Sequence, residues 1–342
     1  MVQRNLRTDA SHGDDQCSKL PSGLEKIIDH RCIFYSFLAA IGFVGVLTGQ
    51  ALSEPTIPSL ELVVLGSGGP GAVGRAASCH LVLVDGTPRI MVDAGPGCFA
   101  RLGETGLTLS AVGIQLLTHL HADHAGDLPG LFKARAVATR DSIRFEIFGP
   151  DGHGRRGELA YFPATSQFVN LLFGEKGAFA YLPDFAARMT FDVKDLPAAL
   201  RPGQEPTIIY SRDGLVIRAI AGHHSDAPSI IYRIDHSGKS ITFSGDIDPS
   251  GLDNLRKIAN DTSLLVVNSA VLDPPKAPPI LYTLHSPPMA LGRVAKESKA
   301  HSLVLAHLSP ATDQNRDEVE ESIRAYYGGP VTFAEDKLHL LP

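Results

Sequence analysis

Apolar and polar residues fall into short blocks along most of this chain, and the block lengths predict its elements. Short runs rich in Val, Ile and Leu read as strands. They are LELVVL at 60–65, HLVLVD at 80–85, RIMVDAG at 89–95, IQLLTHLH at 114–121 and RFEIFGP at 144–150. The pattern resumes with LVIRAIAG at 215–222, SIIYRID at 229–235, SITFSGD at 240–246 and SLLVVNS at 263–269, and ends with VLAHLS, PVTFAED and KLHLL. Longer mixed segments at 96–103, 123–140, 252–260, 287–299 and 315–326 read as helices. Residues 151–206 follow neither period and carry Pro163, Pro183 and Pro197. Strands and helices alternate at both ends, with meandering strands in each half. This predicts a layered α/β domain over 57–342 in which each half contributes a sheet, with 151–206 as an inserted substrate-side segment.

The first 51 residues break the pattern. A polar stretch ends in Lys26, His30 and Arg31, and the run CIFYSFLAAIGFVGVLTGQALS from Cys32 to Ser53 carries no charge. Small residues at Gly49 and Ala51 suit a signal peptidase. The expectation is an N-terminal signal peptide over 1–51 and an exported protein, periplasmic or secreted. An uncleaved membrane anchor competes, although the apolar core of about 17 residues is short against the ~20 of a comfortable span. Cleavage would leave no stable membrane contact. It would also remove Cys17 and Cys32, leaving Cys79 and Cys98 as either a disulfide or two buried thiols.

Composition narrows the partners. The chain is 44% apolar and 20% charged, with a formal net charge of −6 and no Trp. Residues 1–51 balance at five basic and five acidic side chains, so the remainder also carries −6. Such a surface argues against a nucleic acid as the main partner. The oligomeric state stays open, a homodimer included.

The chemistry concentrates in THLHADHAGDLPG, Thr118 to Gly130, which holds His119, His121, Asp123 and His124. Two histidines spaced i, i+2 at a strand end project to one side. Asp123 and His124 then fall in the turn that opens a helix. Neutral imidazoles with a carboxylate are ligands that hold zinc while leaving a position open for water.

H-x-H-x-D-H resembles the signature of the metallo-β-lactamase superfamily. The rest of that pattern follows in order: AGHHSDAPSIIYRID, then TFSGDID, then LVLAHLSP. The resemblance implies a four-layer αβ/βα sandwich with two divalent metal ions at the edge where the sheets meet. Zinc is the default, and manganese or iron is compatible with the same ligands. By resemblance His119, His121 and one histidine of the pair His223–His224 hold the first ion. His224 is preferred because it stands four residues before Pro228. Asp123, His124 and His307 hold the second ion, and Asp246 bridges. Hydrolysis by a metal-activated hydroxide follows, with Asp123 also taking the proton of the nucleophile.

Within the superfamily, LGSGGPGAVGRAASCHLVLVDG, RIMVDAGPG with a structural Asp93, IFGPDG and LHSPPMALGRVA resemble the ribonuclease Z and phosphodiesterase branch. That match gives His285 a catalytic role, as proton donor to the leaving oxygen or as a prop for the transferred phosphoryl group. Two departures count against a tRNA-processing endonuclease. Asn268-Ser269-Ala270 stands where those nucleases carry His-Glu-Ala, and 151–206 holds six basic against seven acidic residues. The reading is therefore a hydrolase of a small phosphodiester or related ester. Arylsulfatase, lactonase or β-lactamase activity, ribonuclease Z activity and a non-catalytic metal sensor are the alternatives. The glycines of LGSGGPG at 65–71 match a dinucleotide fingerprint only formally. Pro70 interrupts them, and a strand follows instead of a helix.

Overall fold

A computed structural model describes residues 59–71, 73–155, 161–186, 188–225 and 227–342. The expected signal segment lies outside them. Among the described residues no helix is long and apolar enough to cross a membrane.

The first half runs β1 (Leu60–Gly66), β2 (Cys79–Val84), β3 (Thr87–Val92), α1 (Cys98–Thr105), β4 (Ile114–Leu116), α2 (Ala122–Ala125), α3 (Leu128–Val137), β5 (Ile143–Pro150), α4 (Thr165–Phe173) and β6 (Met189–Leu196). The second half runs β7 (Thr207–Arg212), β8 (Leu215–Ala221), β9 (Ile230–His236), β10 (Lys239–Phe243), α5 (Leu252–Ile258), β11 (Leu264–Asn268), α6 (Pro288–Glu297), β12 (Ser302–Ala306), α7 (Pro310–Gln314), α8 (Arg316–Arg324), β13 (Val331–Phe333) and β14 (Leu338–Leu340). Two seven-stranded sheets result, ordered β14-β1-β2-β3-β4-β5-β6 and β13-β12-β11-β10-β9-β8-β7. In each, an antiparallel meander gives way to parallel strands joined through helices.

The apolar runs are uninterrupted because both faces of each central strand are covered. Along β1, Leu62 and Val64 face the other sheet, where Ile217, Tyr232, Ile241 and Val266 meet them. The alternate residues Val63 and Leu65 face the helices, packing with Leu102, Leu131, Phe132 and Phe173. The second sheet repeats this, with Leu265, Val267 and Leu305 against Leu255, Leu291 and Ile323. Helix, sheet, sheet and helix make four layers.

Three boundaries differ from the pattern. The helical segment at 123–140 is two helices, because Pro129 sits in the first turn of α3 and has no N–H to continue α2. The segment 151–206 is only in part an insertion. Its β6 pairs along its whole length with β5 and closes the edge of the first sheet, and Val169 and Phe173 of α4 join the core. Met189, Phe191 and Val193 pack on the core and alternate with Thr190, Asp192 and Lys194, the pattern of a strand covered on one face. Finally, β13 and β14 part company, β13 joining β12 and β14 crossing to pair with β1.

One polar residue sits between the sheets. His80 of β2 packs against Phe243 with ring centroids 5.3 Å apart, and neither ring nitrogen has a hydrogen-bond partner. Burial holds its pKa at about 4, against the opposing pull of Asp93. The folded state thus keeps His80 neutral where the unfolded chain protonates near 6.5, the ordinary value for histidine. This contribution to stability is complete above pH 6.5 and is lost as pH falls through about 4. Relative to His80→Leu, the native chain should lose about 3 kcal/mol over that window, at ~1.4 kcal/mol per tenfold change in proton affinity. Urea denaturation of both chains at stepped pH measures the difference. Parallel curves would show that His80 is not held neutral.

Candidate metal centre

The side chains singled out for metal binding all follow carboxyl ends of strands. His119, His121, Asp123 and His124 come after β4, His224 after β8, Asp246 after β10 and His307 after β12. Strands β1, β3, β4 and β5 point the same way, as do β8, β10, β11 and β12, so their ends gather at one edge of each sheet. There the sheets are pinned together. Ile230 N donates to the Thr118 carbonyl at 2.8 Å, and Tyr232 Oη donates to the Leu117 carbonyl at 3.0 Å.

Asp246 occupies the centre. Its Oδ2 lies 3.8 Å from His119 Nε2, 3.6 Å from His124 Nε2, 3.6 Å from His224 Nε2 and 3.4 Å from His307 Nε2. Asp123 Oδ2 lies 3.2 Å from His307 Nε2 and 3.6 Å from His124 Nε2. Among the described residues three groups have ligand atoms within 4.8 Å of one another: His119, His121 and His224; Asp123, His124, Asp246 and His307; and His224, Asp246 and His285. Of the adjacent pair, His224 faces this centre, its Nδ1–H donating to the Leu284 carbonyl at 2.7 Å. His223 turns away, with Nδ1 2.6 Å from Asp248 Oδ2.

The cluster fits divalent cations on its own chemistry. His119 Nε2 and His124 Nε2 are buried without a hydrogen-bond partner. Most of the spacings to Asp246 exceed hydrogen-bond length, while imidazole and carboxylate donors without thiolate suit zinc, manganese or iron. The three histidines of the first group are held neutral. Burial lowers the pKa of His119 well below its usual value, with His124 adding to the effect and Asp246 opposing it. Burial likewise lowers His121 and His224, leaving neutral rings with free lone pairs. His124 is raised well above its usual value; burial pulls it down, but Asp93 and Asp246 pull it up more strongly. Burial tends to raise Asp246, yet the charges of His307 and His124 hold it well below the usual carboxylate range.

Residues behind the cluster aim it. Asp93 accepts from His124 Nδ1 at 2.8 Å and from the Thr118 N–H at 2.8 Å, with Thr118 Oγ1 at 2.9 Å. It thereby fixes the tautomer that presents His124 Nε2 to the centre. Asn268 Nδ2 donates to Asp246 Oδ1, leaving Oδ2 for the imidazoles. Asp93 and His307 both adopt left-handed backbone, φ 60° and 54°, a strain that recurs where geometry serves chemistry. Of these aiming contacts, sequence reasoning reached only the structural role of Asp93. The roles of Thr118 and Asn268 depend on strand register, which has no local signal.

The glycine loop after β1 is a wall of this site. A Cβ on Gly69 would stand 2.7 Å from the His307 ring, so only glycine lets the loop lie against it. Arg75 anchors the loop from behind. Nε and Nη2 each lie 2.9 Å from Asp313, Nη1 donates to Ser67 Oγ and the Ala334 carbonyl, and Glu335 lies 3.0 Å away. Asp336 takes the Ser67 and Ala76 N–H groups. Cys79 and Cys98 are disulfide-bonded, joining β2 to the start of α1. Replacing Arg75 by Leu should lower unfolding free energy by roughly 1–2 kcal/mol, because the Ser67 hydroxyl and the Ala334 carbonyl lose a donor while Asp313 keeps Arg316. Chemical denaturation checks this, and a loss under about 0.5 kcal/mol, typical of an exposed pair, would count against an anchoring role.

His285 borders the same centre, its ring centroid 5.4 Å from His224 and 5.5 Å from His307. Its Nδ1 is buried and unpartnered, as is Ser269 Oγ at the position where the nucleases carry Glu. Among the described residues no carboxylate hydrogen-bonds His285 Nδ1. The ring of Phe162, which sequence reasoning overlooked, lies 5.6 Å from His121.

The sequence profile of the beta-lactamase superfamily domain matches residues 88–308. A relative named Ribonuclease Z from Mycobacterium avium (strain 104) is 28% identical over 285 residues, covering 81% of this chain and 96% of its own. Its name stands against the expectation, drawn from charge, that nucleic acid is not a substrate. Two solved structures share the fold at a TM-score of 0.61. The metallo-beta-lactamase fold protein YhfI of Bacillus subtilis is 18% identical, covering 84% of this chain and 100% of that one. The short form of human tRNase Z is 21% identical, covering 82% and 98%.

Proposed function

The chain belongs to the β-lactamase superfamily, as a hydrolase of the metallo-β-lactamase fold, and we propose that it cleaves a small phosphodiester or related ester with two zinc ions. The observation that carries this reading is the convergence of four imidazole Nε2 atoms on Asp246 Oδ2, with Asp123 beside them. His119, His121 and His224 would hold one ion, Asp123, His124 and His307 the other, and Asp246 both. When bound, such ions polarise an ester oxygen and lower the pKa of water toward neutrality.

The protein's own groups do the rest. Asp123 stays ionised: burial tends to raise its pKa, but the hydrogen bond from His307 and the His124 charge lower it more. Its Oδ2 is thus available to take the proton of the attacking water. Burial lowers the pKa of His285 to about 4 against the pull of Asp246, so its ring is neutral at pH 7. It then acts as an N–H hydrogen-bond donor to the phosphoryl oxygen. His285→Ala should lower kcat by about 100-fold with metal content unchanged. A loss confined to KM would remove His285 from the chemistry.

Metal analysis of the purified full chain, then hydrolysis of bis(p-nitrophenyl) phosphate, tests the reading. A sulfate ester, a lactone, nitrocefin and a precursor tRNA run in parallel separate the rival activities. Less than one tightly bound metal per chain, together with no metal-dependent hydrolysis, would overturn it. Cleavage of precursor tRNA in preference to every small ester would favour the nuclease reading, which the Ribonuclease Z relative supports. Export belongs to the same proposal, supported by the uncharged stretch Cys32–Ser53 and by the Cys79–Cys98 disulfide.

A further inference from the structure

A cleft of about 450 Å³ opens beside the metal centre, among the turns after β5, β6 and β8. That is within the roughly 300–1,000 Å³ of small-molecule sites. It adjoins the centre on two sides. His153 in its wall pairs through backbone with Phe162, whose ring lies against His121, and His223 in another wall is the neighbour of His224.

His223 is held toward this cleft by a dedicated partner. Asp248 Oδ2 accepts from His223 Nδ1 at 2.6 Å and from the Ser225 N–H at 3.1 Å, while its Oδ1 accepts from the Ser250 N–H at 2.7 Å. With Nδ1 engaged, Nε2 is the ring atom left for a ligand. Ser229 also lines the cleft. It is 1% exposed, and its hydroxyl has no hydrogen-bond partner. A buried hydroxyl without a partner costs free energy that a bound polar group recovers. Asp151, anchored by the Ala198 N–H at 3.0 Å, supplies a carboxylate that accepts hydroxyl protons. Leu200 and Pro228 give an apolar floor. No Lys or Arg occurs among the described lining residues, and Arg155, two positions beyond His153, has an interaction of its own.

We propose that this cleft seats an uncharged, hydroxyl-bearing ring, such as a nucleoside, as one substituent of the ester, with His223 as its specificity-determining residue. This rests on the reading of the adjoining centre as an ester hydrolase. Imidazole, hydroxyl and carboxylate groups match alternating hydroxyl donors and acceptors, whereas a second phosphate would meet the Asp151 carboxylate, and the described lining residues include no cation to offset it. A polynucleotide, which continues into further phosphates, fits this chemistry less well than a compact diester.

The test uses thymidine as an uncharged probe, titrated into the full chain, metal-loaded and metal-free, by ligand-observed NMR. Wild type should bind it in both states. Ala199→Trp, which fills the cleft, and His223→Leu should each weaken binding tenfold or more while metal content stays at the wild-type level. In turnover, Ala199→Trp should raise KM for thymidine 5′-(p-nitrophenyl phosphate) at least tenfold more than KM for methyl p-nitrophenyl phosphate. No binding by wild type, or equal binding by both variants, overturns the inference. Thymidine binding without cleavage of any ester would overturn the hydrolase reading and leave the cleft assignment standing. Ester cleavage without thymidine binding would do the reverse.

Discussion

An Asp246→Ala variant should lose tightly bound metal and hydrolyse a phosphodiester roughly 10⁴-fold more slowly, the equivalent of about 5–6 kcal/mol of barrier. Asp246 Oδ2 lies 3.4 Å to 3.8 Å from four imidazoles. Asp123 reaches only two of the same rings, His307 and His124. Without Asp246 the rings keep their supports, since His224 still donates to Leu284 and His124 to Asp93. The defect should therefore be one of metal retention rather than folding. Metal stoichiometry by elemental analysis, steady-state rates and thermal melting separate these effects. A variant that keeps two ions per chain and a rate within tenfold of wild type would show that Asp246 is not shared between ions.

The second large effect is expected one layer further out. Asp93→Ala should weaken metal binding by about 10–100-fold and lower unfolding free energy by roughly 2–4 kcal/mol. Four donors lose their acceptor at once: His124 Nδ1–H, the Thr118 amide and hydroxyl, and the Ser78 hydroxyl. The imidazole then loses the contact that fixes its tautomer, and the other buried polar groups are stranded. Asp93→Asn is the sharper probe. It can still accept from Thr118, but its amide gives His124 Nδ1 a donor to face. It should recover much of the stability while metal affinity stays impaired. Equal recovery of both properties would mean that Asp93 supports the fold without orienting His124.

The legible part of this protein was whatever chemistry or burial writes locally. Runs such as LELVVL announced strands, and the spacing of His119, His121, Asp123 and His124 announced a cluster at a strand end. What stayed hidden depends on register and long-range packing. Strand β6 alternates over Met189–Lys194, but it lies within a segment rich in proline and glycine that masks it, and nothing local in β14 points to its partner β1. Asn268 reads as a departure from a family pattern, yet its amide supports the central carboxylate. Asp248 stands in a turn with nothing to mark it, and only the fold brings it to His223.

The crossing of β14 to β1 has a consequence for how the chain comes off the ribosome. Leu62 pairs with Leu340, and Ser67 and Ala76 of the glycine loop are held by Asp336. The wall against His307 cannot take its final form until residues 335–340 have been made. Nascent chains lacking them present β1 as an open edge, ready to pair with a neighbour. Deletions of a few residues there should cost soluble yield before they cost catalytic chemistry.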